Sequence, residues 1–264
     1  MIRLIASDVD GTLIKDSTPD LYPEMADTIR KLKERGILFC AASGRQYASL
    51  KNVFREVAED IAYIAENGAH IRYLHKDISV TPMKREDIEG IMTMLRPHYG
   101  ECEAVISTPA GSLIESKDQD FLDLLTYGYH NNFRQVEDVL AREEEIIKIA
   151  VYRKGSIRSL GESLFIPSWQ DKVKACMAGE EWVDFMDRSV DKGRGLQILA
   201  QTLGIRQEEV MAFGDNDNDI GMMLAAGISY AVETAVPKVK EAAGRICPGW
   251  AEKGVYQVIS RELF

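Results

Sequence analysis

The chain has 264 residues, 45% of them hydrophobic and 28% charged, an ordinary balance for a globular protein that can bury a core. Thirty-two basic residues stand against 42 acidic ones, and the net charge of −10 excludes non-specific binding to nucleic acid or an anionic membrane. No apolar run reaches the ~18 residues of a membrane span, and no leader pattern precedes the first apolar run, so a cytoplasmic address is expected. Cys40, Cys102, Cys176 and Cys247 form no C-x-x-C pair and are expected to be reduced thiols, not zinc ligands or disulfides.

In chain order, residues 2–6 read as a buried strand running into Asp8-Val9-Asp10-Gly11-Thr12. A helix over 23–35 stops at Gly36, a strand over 37–42 ends at Ser43-Gly44-Arg45, and a helix over 46–57 follows. A third strand over 61–65 ends at Glu66-Asn67-Gly68. This β-α-β-α-β order predicts a doubly wound parallel sheet of Rossmann-like type, with ligands outside the carboxyl ends of the strands.

From about 81 to 187 the pattern changes. Helices are predicted over 85–95 and 118–127, with strands over 102–107, 112–115, 146–152 and 182–186, which suggests an α+β unit. Doubly wound character then returns, with helices over 193–203, 219–226, 237–243 and 255–259 and strands over 210–213, 228–232 and 246–247. The expected fold is therefore α/β, a discontinuous core of 1–81 and 188–264 interrupted by an inserted domain of 82–187. The run Glu143-Glu144-Glu145 reads as solvated surface.

Asp8 and Asp10 stand two apart at the end of the first strand. On extended backbone such side chains point the same way, so two carboxylates would converge unless a cation or a shared proton relieves them. A plain Asp-Gly turn is the competing reading of this segment. The choice depends on what the other strand ends supply. Ser43-Gly44 offers a hydroxyl and backbone N–H groups for an anion, or merely a helix cap.

Gly214-Asp215-Asn216-Asp217-Asn218-Asp219 puts acids and amides at another strand end, with Asn218 and Asp219 expected on one helical face. An EF-hand loop from Asp215 fails, because its glycine comes one position late and its twelfth position is Ala226. Asp191-Lys192-Gly193 opens a helix from which Lys192 could reach across the strand ends. No Walker or dinucleotide glycine loop occurs. Asp8, Asp10, Asp215, Asp219, Ser43, Gly44 and Lys192 together suit a hard divalent cation, Mg²⁺, with a phosphate beside it.

The ordered set Asp8-Val9-Asp10-Gly11-Thr12, Ser43-Gly44-Arg45, Lys192-Gly193 and Gly214-Asp215-x-x-Asn218-Asp219 resembles the haloacid dehalogenase superfamily of phosphatases. Glu66-Asn67-Gly68-Ala69 before a long insertion resembles its Cof-like branch, subfamily IIB, with a large α/β cap. The resemblance implies that Asp8 is a nucleophile forming an aspartyl-phosphate, with Asp10 as general acid and base. It further implies a Mg²⁺ held by Asp8, the Asp10 carbonyl and Asp215, with Asp219 in support. Ser43, Gly44, Lys192 and Asn218 would bind or orient the phosphoryl group.

The implied substrate is a small phosphorylated metabolite, a sugar phosphate by preference, selected by a cap that closes over the site. No nucleic-acid or membrane partner is implied, and a monomer or small homo-oligomer is expected. Gly195 stands where relatives often carry Ala, and Glu233-Thr234-Ala235 where they often carry Asn-Ala. Two other readings remain: a phosphomutase like the phosphomannomutases, and a regulatory phospho-acceptor like a receiver domain.

Overall fold

The computed structural model describes residues 1–15 and 20–264. They divide into two compact units, one of Met1–Ser79 with Asp191–Phe264, the other of Val80–Val190.

The first unit is built on an eight-stranded sheet in the order β14-β13-β12-β1-β2-β3-β4-β5. These are β1 (Leu4–Asp8), β2 (Leu38–Ala42), β3 (Ala62–Ala65), β4 (His70–Tyr73), β5 (Lys76–Val80), β12 (Val210–Gly214), β13 (Ile228–Val232) and β14 (Arg245–Cys247). From β14 to β3 every pairing is parallel. Strands buried on both faces read as continuous apolar runs, and β1, β3 and β12 are buried at every residue. The helices are α1 (Pro23–Glu34), α2 (Tyr47–Val53), α7 (Lys192–Thr202), α8 (Ile220–Ala225), α9 (Pro237–Ala242) and α10 (Gly254–Leu263). In α1 the apolar Met25, Ile29 and Leu32 fall on one face, and all three are buried.

β1 lies between β2 and β12, so the chain leaves it to one side and returns on the other. Such a switch point opens a crevice at the carboxyl ends of the strands. The antiparallel hairpin β4–β5 extends this sheet beyond the expected pattern. Its two turn residues, Leu74 (φ 48°) and His75 (φ 62°), are both left-handed, the geometry of a type I′ turn without its usual Asn-Gly signal.

The second unit carries a six-stranded sheet in the order β10-β11-β9-β6-β7-β8, antiparallel except between β7 and β8. These strands are β6 (Glu103–Thr108), β7 (Gly111–Ile114), β8 (Phe133–Gln135), β9 (Lys148–Tyr152), β10 (Lys174–Met177) and β11 (Trp182–Met186). Its helices are α3 (Arg85–Leu95), α4 (Gln119–Asp123), α5 (Arg158–Leu160) and α6 (Ile166–Trp169). One face of the sheet packs Ile106, Ile149, Val151, Val183 and Phe185 against Ile88, Ile91 and Phe165. β8, β10 and the helical run through α5 and α6 go beyond what the hydrophobic pattern predicts. Among the described residues, no helix is long and apolar enough to cross a membrane.

Candidate active site

β1 ends at Asp8, which is 5% exposed. The chain then turns sharply: the N–H groups of Leu13 and Ile14 both donate to the Val9 carbonyl, at 3.0 Å each, and Gly11 takes φ 84°. The Asp-Gly turn and the site are thus the same segment. β1 ends at Asp8, and Asp10 makes an isolated bridge to Ile14 beyond it. Asp10 is held by Arg45, whose Nε donates to its Oδ2 at 2.7 Å and whose Nη2 donates to Oδ1.

The carboxylates that converge on Asp8 are Asp215 and Asp219, the three offering oxygens within 4.8 Å of one another. Lys192 lies among them, donating from Nζ to Asp8 Oδ1 at 2.6 Å and to Asp219 Oδ1 at 2.7 Å. Lys192 opens α7, where a cation is disfavoured by the helix dipole. The Asp191 side chain caps that helix by accepting from the N–H groups of Gly193 and Arg194. The lysine is placed for the site and not for the helix, and it is 1% exposed.

Asp219 uses both oxygens. Oδ1 accepts from Lys192, and Oδ2 accepts from the backbone N–H of Asp215 (2.9 Å) and Asn216 (3.0 Å). Asp215 accepts from the Thr12 hydroxyl at 2.8 Å. Asn218 and Asp219 do not share a helical face, because 217–219 form a tighter turn before α8 begins at Ile220. Asn218 donates to Asn67 Oδ1 at 2.9 Å, while Asp219 faces Lys192.

Ser43 and Gly44 sit in the turn after β2. α2 starts later, at Tyr47, so Ser43 does not cap it; its hydroxyl accepts from the Arg45 N–H at 3.1 Å. The expected helix N-terminus is replaced here by a tight turn at the strand end.

One ammonium for three carboxylates is an electrostatic imbalance. Burial pushes the Asp8 carboxyl well above the usual carboxylate range; Asp219 and Asp215 add to the rise, and Lys192 opposes it. Burial, then repulsion from Asp219, also raises Asp215. Burial alone would lower Lys192, but Asp219 and Asp8 outweigh it and hold the ammonium above its ordinary value. A hard cation between Asp8 and Asp215 would relieve this, and an all-oxygen donor set of that charge fits a divalent metal.

Thr12, Arg45 and Asn67 are the contacts that motif spacing alone does not assign. Each lies inside a quoted motif, but its partner comes from another loop. As for the two departures, a Cβ on Gly195 would approach Ile64 Cγ2 at 2.9 Å, which explains the glycine. Glu233 is exposed, and its N–H donates to the Cys247 carbonyl.

A switch-point crevice with a buried carboxylate cluster and a buried lysine suits an enzyme of α/β fold that handles a metal ion and an anionic group. The chain is a member of the haloacid dehalogenase-like hydrolases, whose family model matches residues 5–259. It is 28% identical over 264 residues to the 5-amino-6-(5-phospho-D-ribitylamino)uracil phosphatase of Escherichia coli, covering 99% of this chain and 96% of that one. A crystal structure from Eubacterium rectale superposes with TM-score 0.88 at 34% identity, covering 99% of each chain. A sugar phosphatase of subclass IIB superposes with TM-score 0.82 at 21% identity, covering 98% of each chain. The chain is therefore a phosphatase of this family, with the Cof-like, subclass IIB fold, and it acts on small phosphorylated molecules.

Proposed function

We propose that the protein is a Mg²⁺-dependent phosphatase of small phosphorylated metabolites, with sugar phosphates as the substrate class and an aspartyl-phosphate as intermediate. The observation that carries this reading is the group Asp8, Asp215 and Asp219 around Lys192 at the sheet's switch point. Asp8, Asp215 and the Asp10 carbonyl are the groups that would hold the metal, with Asp219 occupied in anchoring Lys192. When bound, the cation neutralises phosphoryl charge and lets an anionic carboxylate approach an anionic ester.

In this reading an Asp8 oxygen attacks phosphorus and the ester P–O bond breaks. The departing oxygen takes its proton from the Asp10 carboxyl. Asp10 then removes a proton from water, which attacks the acyl phosphate, releasing inorganic phosphate and restoring Asp8. Arg45 holds the Asp10 carboxyl in one orientation by its two contacts. Ser43, Gly44, Lys192 and Asn218 meet the phosphoryl oxygens. We assign leaving-group selection to the inserted unit, and the ribityl phosphate named for the E. coli relative supports a polyhydroxylated substrate.

A panel of phosphorylated metabolites assayed for free phosphate, with Mg²⁺ and with a chelator, tests the proposal. Phosphate release is expected with the cation and is lost on chelation. Turnover without phosphate release would replace hydrolysis by a mutase reaction, and a long-lived acyl phosphate would favour the regulatory reading. Asp10→Asn is expected to slow hydrolysis by roughly 10²–10⁴-fold, the usual contribution of general acid–base catalysis. Wild-type rates in that variant would remove Asp10 from the proton transfers.

A further inference from the structure

The Glu66-Asn67-Gly68 segment takes no part in the chemistry above, yet it has the most unusual backbone near the site. Three consecutive residues are left-handed: Glu66 (φ 50°), Asn67 (φ 56°) and Gly68 (φ 103°). Glycine adopts this conformation freely and asparagine tolerates it, but a glutamate does so only when its surroundings impose it. The segment is buried. Strain retained in a buried turn beside a catalytic site points to a positional requirement.

The contacts identify that requirement. The Asn67 N–H donates to the Ser43 carbonyl at 2.9 Å, and the Glu66 N–H donates to the Arg45 carbonyl at 3.0 Å. The left-handed turn is therefore tied to the Ser43-Gly44-Arg45 turn by two backbone hydrogen bonds. The Asn67 carboxamide accepts from Asn218 Nδ2 at 2.9 Å. It also lies flat against Gly44, where an added Cβ would stand 3.3 Å from both Asn67 Nδ2 and Oδ1. One residue thus joins two loops that are far apart in sequence, both among those placed around the phosphoryl group.

We infer that Asn67 is a positioning residue for the phosphoryl subsite. Its backbone sets the Ser43-Gly44 turn, and its carboxamide aligns Asn218, so the anion cradle is formed before substrate arrives. The inference rests on the phosphatase reading. It also explains why an uncharged amide stands here. Aspartate has nearly the same shape, tolerates the same backbone and could accept from Asn218 equally well. Its charge beside Gly44 would repel a phosphoryl dianion across a poorly screened distance.

The test compares Asn67→Asp and Asn67→Gly with the wild type. Inorganic phosphate is the probe, as a competitive inhibitor and by calorimetry, with KM, kcat and thermal midpoint measured alongside. Asn67→Asp is expected to keep its thermal midpoint while phosphate affinity falls tenfold or more and KM rises in step, with kcat changed less. Asn67→Gly keeps the backbone but loses the carboxamide, and is expected to weaken phosphate binding less than the charged variant does. If both variants bind phosphate as the wild type does, the inference is overturned and the phosphatase reading stands. If the wild type itself binds no phosphate, that reading falls and takes the inference with it.

Discussion

Asp8→Asn is expected to abolish turnover, by on the order of 10⁴-fold or more, the scale seen when a covalent nucleophile is removed. A carboxamide oxygen can form no acyl phosphate, and the Asp219 and Asp10 carboxylates are engaged elsewhere. Asp219 has both oxygens committed to Lys192 and two backbone amides, and Asp10 is held by Arg45. Folding should survive, because Lys192 keeps Asp219 as its partner and one of three repelling carboxylates is gone.

The same carboxylates make stability depend on pH. Burial, with repulsion from Asp219, holds the Asp8 and Asp215 carboxyls above the usual carboxylate range. An acid whose folded pKa is raised favours the folded state while protonated. Its contribution to stability is therefore lost as pH rises from the unfolded value through the folded one. In chelator, the wild type should lose stability from this site as pH rises above about 4, the unfolded carboxylate range. Asp8→Asn should lose less. Added Mg²⁺ should stabilise the wild type by about 2.7 kcal/mol at a hundredfold excess over Kd, and the variant by less. Residual hydrolysis near the wild-type rate would end the nucleophile assignment. Equal stabilisation by Mg²⁺ in both proteins would remove Asp8 from the metal site.

Much of this site is legible in the sequence because its chemistry is packed into contiguous loops at strand ends. Asp8, Lys192 and the 214–219 loop stand out as polar groups that interrupt or follow apolar runs, and a parallel sheet brings such ends together. What is not legible depends on which loop neighbours which. Thr12 bonds Asp215 and Asn67 bonds Asn218 through pairings separated by 203 and 151 residues. Spacing carries no trace of either. Asp10 illustrates the same limit, because its partner Arg45 comes from the turn after β2 and no spacing in the first motif marks that pairing.

In the fold, the doubly wound core announces itself through buried strands and through helices with one buried apolar face, such as α1. The β4–β5 hairpin does not, because Leu74-His75 supplies no turn residue to read. The inserted sheet is only partly legible for a related reason. β10 reads Lys-Ala-Cys-Met and β8 has three residues, too little alternation for a period to emerge.

Lys192→Met is expected to unfold the metal-free protein more readily than any other single change at the site. The ammonium is 1% exposed and bridges Asp8 and Asp219, themselves 5% and 0% exposed. Removing it leaves three close carboxylates with no cation, and breaking a buried pair in this way costs about 3–5 kcal/mol. Urea unfolding in chelator should show that loss. Mg²⁺ should restore part of it, since the carboxylates then regain a positive neighbour. The double variant Lys192→Met/Asp219→Asn provides the control, because it removes one uncompensated charge together with its partner. It should be less destabilised than the sum of the two single variants, by a coupling of roughly 0.5–3 kcal/mol for groups in contact. Turnover should stay lost in both, since a donor to the phosphoryl oxygens is worth about 10²–10³-fold and neutral methionine supplies none. Strict additivity would mean that Lys192 stabilises the fold without its charge, and the electrostatic account of the site would fail with it.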